Sequence, residues 1–161
     1  MYDELRRIAH AQRMRLKPSE TLSTTVLVHE LYLKLSRGAP LEIADRHHFY
    51  SLAARVTRQI LIDGARRELA ARRGGGAAIE PLAEEREPVT PQRPEELLAL
   101  DEALERLAAV DPELAAVVEL HFFAGLSFEE MAATSPKSER TLRRDWRRAR
   151  AFLYDRLRHN A

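Results

Sequence analysis

Nine lysines and arginines crowd residues 135–161, against three acids. Most sit in one run, Arg140-Thr141-Leu142-Arg143-Arg144-Asp145-Trp146-Arg147-Arg148-Ala149-Arg150. The chemistry open to such a run is recognition of an anion. A guanidinium is a fixed cation that pairs with phosphate, and it can grip guanine O6 and N7 with two hydrogen bonds. The spacing decides where these groups point. At 3.6 residues per turn, Leu142, Trp146, Ala149, Leu153 and Leu157 make one apolar stripe. Arg140, Arg144 and Arg147 fall on the opposite side, with Arg143 and Arg148 flanking them. A helix packed by one face and arginine-rich on the other suits DNA; the alternative is a solvated arginine-rich surface helix.

The residues just before this helix decide between them. Ser127 can cap a short helix, and Glu130 three residues on completes a capping box. Ser135-Pro136-Lys137 breaks that helix, since proline lacks the amide donor and disfavours helix in the residue before it. Ser138 can then cap the long helix. Short helix, tight turn and long helix together predict a helix-turn-helix DNA reader. Its candidate DNA-binding residues are Ser127, Ser138, Arg140, Arg143, Arg144, Arg147 and Arg148.

A second basic helix is expected earlier. Arg55, Arg58, Arg66, Arg67, Arg72 and Arg73 line it, with Gln59 and Asp63 among them and Phe49-Tyr50 at its start. Exposed aromatics beside arginines suit single-stranded nucleic acid, because bases stack on rings while cations follow the backbone. Spacing leaves equally open a surface helix whose aromatics are core. No catalytic set stands out. His47 and His48 are sequential and cannot share a helix-bound metal. Nothing fixes His29, Glu30 and Asp63 together. Gly74–Gly76 neither follows a strand nor ends in Gly-Lys-Ser/Thr, so it is no phosphate loop. Neither metal, cofactor nor enzymatic activity is expected.

The 161 residues suffice for one ordinary domain or two small ones. There is no cysteine, hence no disulfide framework or thiolate metal site. No membrane-length apolar run and no signal-peptide pattern appear, which places the chain in the cytoplasm. The net charge of +1 conceals its layout. Residues 1–73 hold 14 Lys/Arg and 8 Asp/Glu, whereas residues 95–134 hold one and ten. Two basic regions thus flank an acidic middle, which points to two separate contacts with polyanion.

Helical periodicity recurs throughout, with no alternating strand pattern. Tyr2–Leu16 carries Leu5, Ile8, Ala9, Gln12 and Leu16 on one side. Leu27, Val28, Leu31, Tyr32 and Leu35 make the next stripe. Asp45 can cap a third helix running to Arg73 with Phe49, Leu52, Ala53, Val56 and Ile60 inward; Gly64 should weaken it. From Gly74 to Pro94 the chain is rich in proline and poor in large apolar residues, which reads as a flexible tether. Glu95–Val110 is helical, and Asp111-Pro112 caps and opens a further helix to Phe123. The expected fold is all-α: two small helical domains, 1–73 and 95–161, joined by linker 74–94.

The whole chain resembles the extracytoplasmic-function sigma factors of bacteria. Three segments carry the likeness. Thr25-Val26-Leu27-Val28-His29-Glu30-Leu31-Tyr32-Leu33-Lys34-Leu35 resembles the segment that docks on the clamp helices of core RNA polymerase. Val56–Arg67 resembles the helix that opens and reads the −10 promoter element. Ser127–Arg150, with Arg144-Asp145-Trp146-Arg147, resembles the −35 reader. The resemblance implies a sigma-2-like domain at 1–73 and a sigma-4-like domain at 95–161. It implies His29, Glu30 and Lys34 at the polymerase, Gln59, Asp63, Arg66 and Arg67 at the −10 element, and the helix-turn-helix set at the −35 element. Core RNA polymerase and promoter DNA are the implied partners, and an anti-sigma factor is admitted as a further one. Three departures stand out. Gln59 replaces the usual asparagine, Pro136-Lys137 replaces glycine and an aliphatic, and Thr24-Thr25-Val26 stands where many relatives are acidic.

The function so implied is promoter-specific transcription initiation. A stand-alone helix-turn-helix regulator explains residues 95–161 but leaves the first half without a purpose, and a protein-binding helical adaptor leaves the arginine face unexplained. Limited trypsin digestion tests the domain division. Cleavage is expected first after Arg73, Arg86 or Arg93, leaving two stable fragments; one protected core spanning the tether would refute separate domains.

Overall fold

The computed structural model describes residues 2–15, 24–36, 45–75 and 93–159. The described residues are helical, with no strand among them. The helices are α1 (Tyr2–Arg15), α2 (Thr24–Ser36), α3 (Arg46–Gly75), α4 (Pro94–Val110), α5 (Pro112–Val118), α6 (Phe128–Thr134) and α7 (Glu139–His159). A π-helical turn, Glu119–Phe123, continues α5. Most of the linker expected at 74–94 lies outside the described residues, as do Leu16 and the side chain of Leu27.

Local chemistry fixes the ends as expected. Asp45 accepts from the His48 amide at 2.8 Å and opens α3. Asp111 accepts from Leu114 and is followed by Pro112 in the first turn of α5, where a missing amide costs nothing. Gly125 takes φ 71°, the left-handed value that ends a helix without a Cβ clash. The π turn was not expected. Ala124 donates to the Glu119 carbonyl five residues back, and Leu126 reaches Leu120. This widened turn redirects the chain into α6.

The buried apolar side chains form a continuous cluster from Leu5 in α1 to Leu153 in α7. α1 packs on α2 and α2 on α3; α3 lies against α4 and the π turn; α4, α5 and α6 all pack on α7. Leu5, Ile8, Ala9 and Gln12 are buried, as the stripe predicts. One expectation is corrected. Tyr32 is 43% exposed, because Val28, Leu31 and Leu35 already fill a narrow stripe and Tyr32 lies 100° round from Leu31. Gly64 does not interrupt α3, which runs unbroken for 30 residues. α3 packs against both α2 and α4; a glycine within a helix costs about 1 kcal/mol relative to alanine.

Leu31 is fully buried between α1 and α3, whereas His29 on the same helix is exposed. Leu31→Ala is expected to lower unfolding free energy by about 2–5 kcal/mol, while His29→Ala should change it by less than about 0.5 kcal/mol. Chemical denaturation of both variants measures the difference.

Candidate nucleic-acid interface

The helix-turn-helix is built from the predicted caps. Ser127 Oγ accepts from the Glu130 amide at 3.1 Å, and Glu130 Oε1 accepts from the Ser127 amide at 3.2 Å. Two orphan donors are thereby satisfied reciprocally. Burial alone would raise the Glu130 carboxyl. Hydrogen bonds from Arg7 and from Ser127 outweigh it and hold the group below the usual carboxylate value. Ser138 Oγ accepts from the Thr141 amide at 3.2 Å and opens α7. The hydroxyls of Ser127 and Ser138 are therefore engaged as caps.

On α7 the two faces separate as the spacing predicts. Leu142, Ala149 and Leu153 are buried, with Trp146 and Leu157 half-buried. Arg140, Arg143, Arg144, Arg147 and Arg148 are all exposed. Trp146 meets His121 edge-on at 4.6 Å between ring centroids, and His121 stacks on Phe128 at 4.5 Å. This aromatic set ties the π turn, α6 and α7 together. Arg143 lies 5.0 Å over the Phe128 ring and pairs with Glu139 at 2.8 Å, so its guanidinium is held in place.

One pair was missed. Asp145 lies on the buried face of α7, its side chain only 6% exposed, and Lys137 Nζ from the turn reaches its carboxylate at 2.9 Å. Lys137 also reaches Glu113 of α5 at 3.2 Å, and its amide donates to Ser135 Oγ. The hydrogen bond to Asp145 raises the Lys137 ammonium above its ordinary value, against a smaller opposing effect of burial. Asp145 stands three residues after Leu142 and four before Ala149, so its place on the stripe was readable in the sequence. Its partner was not.

In the first half, Gln59, Arg66 and Arg67 of α3 are exposed, and Asp63 is half-buried. Lys34 of α2 pairs with Asp63 at 3.9 Å, and Arg66 reaches the same carboxylate at 3.9 Å. The expected docking and −10 residues thus adjoin through this carboxylate. His29 is exposed and Glu30 half-buried on α2. The aromatic reading at the start of α3 is overturned. Tyr50 is buried and donates to Glu4 at 2.9 Å, and Phe49 packs on the core. Arg58 faces away from solvent, toward α4 and the π turn. No group of three metal-ligating side chains occurs among the described residues.

The family model described as ECF sigma factor matches residues 1–159. The chain belongs to the ECF sigma factor family. Comparison with curated proteins and with solved structures gave no match. Sigma factors are DNA-binding initiation factors of transcription rather than enzymes, and the family works with RNA polymerase and promoter DNA. No helix among the described residues is long and apolar enough to cross a membrane.

The Lys137–Asp145 pair gives this ECF sigma factor a testable turn. Removing one partner of a buried ion pair costs up to about 3–5 kcal/mol, and less here because Lys137 is 27% exposed. Lys137→Met should therefore lower the melting temperature. Adding Asp145→Leu to it should restore most of the loss, since two apolar groups leave no charge unpaired. Calorimetry of the three chains measures this.

Proposed function

We propose that this sigma factor binds core RNA polymerase and directs it to an asymmetric, bipartite promoter. Residues 1–73 and 95–161 divide the work as sigma-2-like and sigma-4-like domains joined by 74–94. His29, Glu30 and Lys34 on α2 meet polymerase. Gln59, Asp63, Arg66 and Arg67 on α3 meet the −10 element. Ser127, Ser138, Arg140, Arg143, Arg144, Arg147 and Arg148 meet the −35 element. The chain acts in the cytoplasm, where polymerase and promoters are.

The observation that carries this reading is the two-faced α7. The exposed Arg140, Arg143, Arg144, Arg147 and Arg148 stand opposite Leu142, Ala149 and Leu153, on a helix anchored by α4, α5 and α6. A rigid base lets a short arginine row be placed in a major groove to within a base pair. The adjoining of Lys34 and Asp63 supports the first half of the reading, since a polymerase contact and a strand-opening helix would then move as one body.

The two ends of the arginine row should behave differently. Arg143 and Arg144 lie near the start of α7, where a recognition helix meets base edges. Arg144→Ala should relax base preference at one or two upstream positions and cost about 1–3 kcal/mol on the preferred site. Arg148→Ala should weaken all sequences alike and lower the salt slope by about one counterion. Binding of both variants within holoenzyme to a panel of upstream elements, at several salt concentrations, measures the difference. Equal, uniform losses would reduce α7 to an electrostatic clamp, and no loss from either would remove it as the reader.

A further inference from the structure

The start of α7 carries an acid that the DNA-reading arrangement leaves without a task. An open groove there is lined by Phe128, Glu139, Arg140, Arg143, Trp146 and Arg147. Glu139 is the one acid among these lining residues. A carboxylate turned toward a phosphate backbone repels it, so its place among cations calls for a compensating use. Glu139 Oε1 accepts from Arg143 Nη2 at 2.8 Å and from Arg143 Nε at 3.2 Å. The guanidinium lies 5.0 Å over the Phe128 ring, which is itself stacked on His121. At an exposed site either contact alone is weak. Together they hold the group along one edge and over one face, which fixes both its place and its plane. Among the described residues Arg140, Arg144, Arg147 and Arg148 have no ion pair.

The pairing also decides which polar atoms are left to meet a base. A guanidinium has five N–H donors in a fixed fork. Glu139 takes the Nε hydrogen and one on Nη2, so the Nη1–Nη2 edge stays open. That edge fits guanine O6 and N7. Both bonds go to Glu139 Oε1, and Oε2 has no hydrogen-bond partner among the described residues. An open carboxylate oxygen in the major groove accepts from the N4 amino group of cytosine. Glu139 and Arg143 lie one turn apart on the same side of α7, so donor edge and acceptor oxygen are presented side by side. The major-groove edge of a G·C pair offers the complementary set, two acceptors on guanine beside one donor on cytosine.

We propose that Glu139 and Arg143 act as one composite reader of a single G·C base pair. Arg143 grips the guanine by its Nη1–Nη2 edge. Glu139 holds Arg143 through Oε1 and accepts from the cytosine through Oε2. Phe128 is a positioning residue, the floor under the guanidinium. This reader rests on the proposed function and assigns one base pair of its upstream element. Discrimination comes from repulsion as much as from attraction. In an A·T pair, adenine N6 would turn a donor toward Arg143, and thymine O4 an acceptor toward Glu139. A reversed C·G pair would make both mismatches at once. Without the acid, Arg143 would have nothing beside it to reject the wrong partner base.

Holoenzyme assembled with the parent chain or a variant is used to select from duplexes of random sequence, and the bound sequences are counted. The parent should favour G·C at one upstream position by about tenfold over other pairs. Arg143→Ala should abolish that preference. Glu139→Ala should cut it severalfold although Arg143 remains. Glu139→Gln separates reading from mere support: its amide can accept from cytosine or donate to thymine, so the gain should fall on A·T in the same orientation. Glu139→Gln also keeps the side chain's shape, and it poses the question even where Glu139→Ala loosens α7. Profiles of both Glu139 variants matching the parent overturn the composite reader. So does a gain spread evenly over all three wrong pairs in Glu139→Gln, which would leave Glu139 a support for Arg143 alone. Tighter binding of every sequence by Glu139→Ala also overturns it, since the acid would then only repel phosphate. A parent with no upstream preference rejects the proposed reader α7 itself; a preference that neither Glu139 nor Arg143 alters rejects the composite reader and leaves α7 in place.

Discussion

A buried carboxylate constrains the helix-turn-helix. Asp145 occupies the apolar face of α7, where an unpaired charge would cost several kcal/mol. It needs a cation, and Lys137 supplies one from the turn. That requirement ties the turn to α7, and the bond from Lys137 to Glu113 ties both to α5. The family resemblance leads one to expect glycine and an aliphatic at this turn. Here Pro136-Lys137 closes it with a directional charge pair. The arginines on the far side of α7 inherit their orientation from this pair and from the aromatic set of His121, Phe128 and Trp146.

The same electrostatic logic organises the chain at larger scale. Several acids of residues 95–134 are placed against cations from outside the stretch: Asp101, Glu105 and Glu119 against Arg58, Glu95 against Arg72, Glu130 against Arg7, and Glu113 against Lys137. What remains outward is a basic stretch on α3 and the arginine face of α7. The near-neutral net charge therefore reflects in part an internal pairing of opposite blocks, with the unspent positive charge concentrated on α3 and α7. The π turn contributes by giving the chain a bend into α6 and open carbonyls for Gln12.

Much of this was legible in the sequence because it is local. Caps at Asp45, Asp111, Ser127 and Ser138 act over three residues, and stripes on α1, α4 and α7 follow from 3.6 residues per turn. The all-α class, the helix order and the exposed arginines of α7 follow from these signals alone. The family resemblance rested on the same segments, and the family match over residues 1–159 agrees with it.

What the sequence left open was decided by neighbours distant along the chain. Whether Tyr50 stacks on bases or fills the core depends on Glu4, 46 residues away, which accepts its hydroxyl. Whether Arg58 faces nucleic acid or carboxylates depends on Asp101 and Glu119, 43 and 61 residues away. The partner of Asp145 comes from a turn that helical periodicity does not describe. A period records which side of a helix a residue occupies. Only packing decides what that side meets, because burial and charge pairing are properties of two surfaces and a single helix carries one of them.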